Sequence, residues 1–363
     1  MKITKTILPA LLLCIMGASC AKVNEVTSNE QQGVVLDAFL DRYNHEHGTN
    51  IVPEESGLCI LEKEMGRGQL IHKESYVYVH YNTLSLDGSY RSVMDPELAK
   101  KLGTYDSRKY YGPVLWNLNS NSKSAGLMEM LCQINQGGYI DAVIPPWLSG
   151  RNDNASTENQ DLGENERYQL KISYVFNDIR KFEDDTLKAY AHKYYGGIDT
   201  TSFGFYFKST KELSSDTIPE KSAVKFAYVA KLLDGYVFDT NIADTAKKYG
   251  IYDPSKIYGK TTVTYLKTAK EMANTESDIP DDHVKGMKYV LGLAKALKKM
   301  YYGEEAVTFF ISDLGFGANG DFENNIGVPD NQPICYHIYM DDEPSYEAPD
   351  EDEEEDKEDD KKE

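Results

Sequence analysis

The chain of 363 residues predicts an α+β protein built from two copies of one unit, each an antiparallel sheet wrapped on one short helix. Three observations carry this. The first is an internal repeat. AKKLGTYDSRKYYG, beginning at Ala99, returns as AKKYGIYDPSKIYG at Ala246, 147 residues later, and Tyr81/Tyr228 and Asp87/Asp234 keep the same offset. Further on the offset becomes 166, pairing Gly126 with Gly292 and Gly137 with Gly303, so the second copy carries a 19-residue insertion around Lys267 to Val284. The second is VKFAYVAKLLDGYVFDTN, Val224 to Asn241, which alternates apolar and polar residues around Asp234-Gly235, a hairpin signal. The third is the order of elements: strands first, then one clear helix over Val290 to Met300, with Val290, Leu293, Leu297 and Met300 along one face, then a closing strand from Pro333 to Met340.

In chain order, residues 1–20 read as a secretory signal. Lys2 and Lys5 give the positive region, and Ile7 to Met16 an apolar run too short to span a bilayer. Gly17-Ala18-Ser19-Cys20 resembles a bacterial lipobox, which implies cleavage before Cys20 and lipidation of its thiol. Residues 21–30 are a polar tether. Val34, Val35, Ala38, Phe39 and Tyr43 recur at helical spacing in Gln31 to His47, with Gly48 as the stop. Gly57 to Glu64 reads as a strand. A leading helix recurs as Asp185 to Tyr195 before a strand at Phe203 to Lys208.

Composition excludes several functions. Of the net charge of −20, the segment from Asp341 holds 15 acidic and 3 basic residues, so −12 belongs to a tail expected to be disordered. No basic face for nucleic acid is visible. Cys14 and Cys20 fall in the processing segment; Cys59, Cys132 and Cys335 lie in apolar runs and read as buried inert thiols. No Cys/His spacing suggests a metal, and no cofactor is expected. Gly315-Phe316-Gly317-Ala318-Asn319-Gly320 matches a dinucleotide fingerprint literally, but DFENNIG follows it instead of a helix-forming run, so it reads as a loop. With only Trp116 and Trp147, the chain lacks the aromatic platforms of a polysaccharide-binding surface lipoprotein.

The hairpin Val224–Asn241, the GLAKALKKMYYGEEA run from Gly292 to Ala306, ISDLGFGANG from Ile311, and PICYHIYM from Pro333 together resemble the FKBP-type peptidyl-prolyl isomerases, over residues 180–343 closely and 31–178 more loosely. The resemblance implies a bent sheet around one helix with an apolar pocket between them. It places Tyr228, Phe238, Asp239 and Phe316 as catalytic residues and Tyr289, Val290, Leu293, Val328 and Tyr336 as substrate-binding residues. In that pattern Leu293 stands for a floor tryptophan, the amide of Val290 meets a ligand carbonyl, and Phe316 stands where a tyrosine hydroxyl usually donates. In the first copy Arg91-Ser92 replaces Phe238-Asp239, so its pocket is expected to be degenerate, with a polar rim loop over Arg151 to Asn165.

The expected organisation is therefore 1–20 lipoprotein signal, 21–30 tether, 31–178 FKBP-like domain with a degenerate pocket, 179–343 isomerase domain and 344–363 acidic tail. The expected setting is a Gram-negative cell, with Cys20 anchoring the protein in the outer membrane at its periplasmic or outer surface. The implied activity is cis–trans isomerisation of prolyl bonds in unfolded or partly folded exported proteins, with macrolides as possible ligands. The alternative is a non-catalytic chaperone or binding module on the same fold.

Overall fold

The computed structural model describes residues 28–119, 123–149, 163–198, 202–211, 217–274, 290–320 and 327–342. The signal and Cys20, most of the tether, the body of the 151–165 loop, the second half of the insertion, Tyr289 and the acidic tail lie outside them.

The first half contains helix α1 (Ser28–His47), strands β1 (Cys59–Glu64), β2 (Tyr76–Leu84) and β3 (Tyr90–Ser92), helix α2 (Pro96–Leu102), strand β4 (Val114–Asn117), helix α3 (Ala125–Leu131), strand β5 (Tyr139–Ile144), the single turn α4 (Pro146–Ser149) and strand β6 (Glu166–Phe176). The second contains α5 (Ile179–Tyr195), β7 (Phe205–Lys211), β8 (Ala223–Leu232), β9 (Val237–Thr240), α6 (Ala243–Tyr249), β10 (Thr261–Thr264), α7 (Ala269–Asn274), α8 (Leu291–Leu297), β11 (Glu305–Phe310) and β12 (Ile334–Met340). Between the last two strands lie single 3₁₀ turns at Ser312–Leu314 and Gly317–Asn319, so the GFGANG stretch is a loop.

Both sheets are antiparallel and have one topology. The first runs β1-β5-β6-β2-β3 with β4 also on β2; the second runs β7-β11-β12-β8, with β9 and β10 both on β8. The repeat holds at the level of single pairs. Thr83 faces Ser92 and Leu84 faces Tyr90, while Ala230 faces Asp239 and Lys231 faces Val237, each 147 positions on. Helix α2 ends on Gly103 and α6 on Gly250, both in the left-handed conformation that closes a helix without a Cβ penalty. Helix α7 occupies the insertion and has no partner in the first half among the described residues.

Each sheet wraps on one short helix, as expected, and a second helix covers its other face. In the second half α8 buries Leu293, Ala294, Ala296 and Leu297 against one face of the sheet. Helix α5 buries Leu187 and Ala191 against Tyr206, Val307, Phe309 and Cys335 on the other. Likewise α3 covers one face of the first sheet and α1 the other, through Leu36, Phe39 and Leu40 on Cys59, Leu61 and Val143. Strand β11 is buried almost throughout because both its faces are covered. The clear helix is also shorter than its apolar spacing suggests: Val290 is the N-cap, and Lys298 to Met300 form a turn beyond its end. Cys59 and Cys335 are buried, and burial lifts their thiols to about 12 and about 11; Cys132, expected to be buried, is instead exposed at the C-terminal cap of α3.

The halves are joined through α5. Its first turns place Ile179 and Phe182 against Tyr78, Leu115 and Phe176 of the first sheet, and its later turns cover the second sheet. Glu183 on this helix accepts from the Ser312 amide (2.8 Å) and hydroxyl (2.7 Å).

Candidate functional site

Strand β8 alternates so that Val224, Phe226, Tyr228, Ala230 and Leu232 face the core between sheet and α8. Its partner β9 is bulged: Asp239 faces Ala230 and Val237 faces Lys231, leaving Phe238 as an extra residue. A bulge re-aims neighbouring side chains. Phe238 and Asp239, which a regular strand would send to opposite faces, are both buried, each 7% exposed.

A buried carboxylate is costly unless its oxygens are met. Tyr228 Oη donates to Asp239 Oδ2 at 2.7 Å, the Thr240 amide donates to Oδ1 at 2.8 Å, and the Lys256 ammonium also sits on Oδ1. Lys256 further donates to the Thr240 carbonyl at 3.1 Å. Asn241 holds the segment in place, accepting from the Tyr228 amide (2.8 Å) and donating to the Phe226 carbonyl (3.0 Å). Asp239 is thus the acceptor of a phenol–carboxylate–ammonium cluster at the edge of an apolar group of side chains.

That group is built of rings. Phe238 meets Phe316 edge to face at 5.9 Å and Tyr336 at 6.5 Å, and Tyr336 lies 5.9 Å from Tyr228 and stacks on Phe310 at 6.1 Å. Centroids at these separations are in contact. Leu293, Val328 and Tyr336 have no exposed surface, whereas Phe316 and Val290 are half-buried and form the outer boundary. Gly292 sets the depth. A Cβ there would lie 2.4 Å from the Phe310 ring, so only glycine lets α8 approach this closely. The Val290 amide stands at the helix start, where the first N–H groups lack intrahelical acceptors, and no acceptor meets it among the described residues.

The structure therefore brings together Tyr228, Phe238, Asp239, Val290, Leu293, Phe316, Val328 and Tyr336; Tyr289 lies outside the described residues. Sequence reasoning missed Lys256. Its only signal was the repeated lysine of RKYYG and SKIYG. It also missed a rim contributed by the first half. Tyr110 packs against the same core, its hydroxyl donating to Asp234 at 2.9 Å and its ring 5.3 Å from Tyr236. Tyr236 Oη donates to the Arg108 carbonyl at 2.5 Å, and Ser107 Oγ to that of Gly250 at 2.6 Å. Gly327, at φ +73°, leaves space for that Arg108 carbonyl, which a Cβ would meet at 3.2 Å. Burial, reinforced by Asp234, pushes the Tyr110 phenol far up, and burial takes Tyr236 to about 12, so both remain protonated hydrogen-bond donors.

In the first half Arg91 turns outward, bonded to Glu164 and, at 2.7 Å, to Ser85 Oγ. Trp116 packs 5.1 Å from Tyr81, and Ile144 and Leu148 press on Gly126. No group of His, Cys, Asp or Glu among the described residues could hold a metal ion, and no helix among them is long and apolar enough to cross a membrane.

No family model and no curated protein matches the chain. Solved structures do. The three FKBP domains of wheat FKBP73 align at 15% identity over 81% of this chain and 98% of that one, with a TM-score of 0.27. FkpA from Escherichia coli aligns at 19% identity over 40% of this chain and 62% of its own length, TM-score 0.27. A peptidyl-prolyl cis-trans isomerase from Pseudomonas syringae pv. tomato aligns at 16% over 45% and 91%, TM-score 0.30.

Proposed function

We propose that the chain is an FKBP-type peptidyl-prolyl cis–trans isomerase whose activity resides in its second half. The supporting observation is the convergence, from four separate segments, of an aromatic box (Phe238, Phe316, Tyr336) with a Tyr228–Asp239–Lys256 cluster at its edge. An X-Pro bond isomerises over a barrier of about 18–20 kcal/mol set by amide resonance, and the planar ground state carries the larger dipole. A dry apolar box that binds the twisted amide better than the planar one lowers that barrier; ten-thousandfold acceleration requires only about 5–6 kcal/mol. Leu293 and Tyr336 receive the prolyl ring, the Val290 amide meets a substrate carbonyl, and Asp239, held by three donors, orients Tyr228 and polarises the edge of the box. The reaction needs no metal, nucleophile or cofactor from these residues.

The clients are unfolded or partly folded exported polypeptides, and the protein is held at a membrane by lipid on Cys20, residues 1–19 being removed. The domain limits at 178/179 and 343/344 belong to the same reading.

A non-catalytic binding module is the second reading. Two observations favour it: Phe316 offers no hydroxyl to a ligand, and the Phe238 and Phe316 rings touch, so a prolyl ring must part them. A protease-coupled isomerase assay with a proline-containing tetrapeptide, using the chain from residue 21, separates the two. Acceleration suppressed by rapamycin supports the isomerase; binding of unfolded polypeptide without acceleration supports the module.

A further inference from the structure

The repeat makes each half a control for the other, and one position has lost its partner. Lys256 corresponds to Lys109, and both ammonium groups donate to corresponding carbonyls, Thr240 at 3.1 Å and Val93 at 2.7 Å. Both follow a loop pinned in the same way, with the Asp253 and Asp106 amides donating to Tyr258 and Tyr111 hydroxyls. Lys256 is neutralised by Asp239. At the corresponding position the first half has Ser92, and no carboxylate reaches Lys109 among the described residues. Tyr81, in the place of Tyr228, likewise has no hydrogen-bond partner for its hydroxyl among them.

The missing side chain leaves room. A half-open cavity of about 190 Å³ lies there, lined by Tyr90, Arg91, Ser92, Val93, Lys109 and Tyr111 among others. That is several times the volume of one water. The other charged groups at hand are Arg91 and the Glu164 that it holds; the Glu164 side chain is mostly exposed.

We propose that this first-half cavity binds a carboxylate, presented by an acidic side chain of a polypeptide, which takes on Lys109 the place that Asp239 takes on Lys256. The second half shows the contact such a ligand would make: a carboxylate oxygen on the ammonium. Arg91 also lines the cavity, its charge already met by Glu164. The first half thereby acts as an acidic-segment receptor, independently of whether the second half is catalytic.

The source of the carboxylate is a client chain or the protein's own acidic segment after Asp341, and the test separates them. Fluorescence anisotropy would follow a fluorescein-labelled peptide carrying two glutamates, with its glutamine counterpart as control, on the full chain and on a chain ending at residue 342. Stronger binding of the glutamate peptide, weakened about tenfold by Ser92→Asp, which supplies the carboxylate from within, and by Lys109→Met, which keeps the aliphatic stem, supports the site. Binding seen only in the shortened chain also supports it and names the protein's own tail as occupant. Equal binding of the two peptides, or affinity unchanged in both variants, overturns the proposal.

Discussion

Removing the Asp239 carboxylate should cost the second half more than a surface charge would, and the cost can be worked out from its contacts. Asp239→Ala leaves the Tyr228 hydroxyl, on a residue 1% exposed, without its acceptor, a penalty of about 1–3 kcal/mol. Lys256 loses its counter-ion as well. Breaking a fully buried pair costs about 3–5 kcal/mol, but the lysine side chain is 35% exposed and regains water, so only a minor part of that applies. The expected total is about 2–4 kcal/mol. Asp239→Asn keeps an acceptor for Tyr228 and loses the charge, for about 1–2 kcal/mol. The assay is urea unfolding at pH 7 of the wild type, Asp239→Ala, Tyr228→Phe and the double variant. The coupling between the two sites should be about 1–2 kcal/mol, because Tyr228→Phe removes the group that Asp239→Ala orphans. A coupling below about 0.5 kcal/mol, or a loss below about 1 kcal/mol in Asp239→Ala, would refute the cluster as described.

Burial lifts the Glu183 carboxyl from its ordinary 4.5 to about 7, against two hydrogen bonds from Ser312 that lower it. The native state therefore keeps a proton that the unfolded chain has lost, and stability should fall as pH rises from about 4.5 to about 7. Glu183→Gln should flatten that fall in urea midpoints taken across the range; an unchanged slope would count against the buried carboxyl. His337, lowered by burial to about 4, acts in the opposite direction below 6.5, so the Gln variant should show stability dropping as pH falls through that window. Gly292→Ala should destabilise the second half by about 1–3 kcal/mol in thermal unfolding, because its methyl overlaps the Phe310 ring, and a neutral result would mean that α8 sits farther from the sheet. Cys20→Ala should abolish labelling by a fatty-acid analogue in cells, and persistent labelling would remove the lipid anchor.

What the sequence revealed was what repeats or alternates. The hairpin around Asp234-Gly235, the paired halves and the box residues were all visible, because periodicity 2 and a fixed offset survive without knowledge of the fold. Contacts set by tertiary path were not. Lys256 reaches Asp239 across 17 positions only because a loop pinned at Asp253 and Tyr258 folds back, and nothing local announces that. The first turns of α5 escaped notice because Glu183 and Asp184 are buried acids, satisfied by Ser312, Gly204 and Tyr206, and an amphipathic pattern counts them as surface. The Tyr110 rim lies 124 positions from its acceptor, Asp234, in the other half, and its counterpart in the repeat, Ile257, is exposed. Arg91-Ser92 showed in the sequence where the halves differ, but the packing of Trp116 on Tyr81 was not legible, since it depends on how β4 lies over β2.

We assign prolyl isomerisation, as proposed, to the Phe238–Asp239 box. Its most direct test is kcat/KM in the protease-coupled assay for the chain from residue 21 and for its Phe238→Arg/Asp239→Ser variant, which copies the first half's residues into the second, with near-UV circular dichroism establishing that the variant is folded. The expected result is catalysis by the parent and loss of at least about a hundredfold in the folded variant, since an arginine admits water and removes about 1.5–3 kcal/mol of aromatic burial along with the orienting carboxylate. Equal turnover by parent and folded variant would contradict the assignment of catalysis to this box.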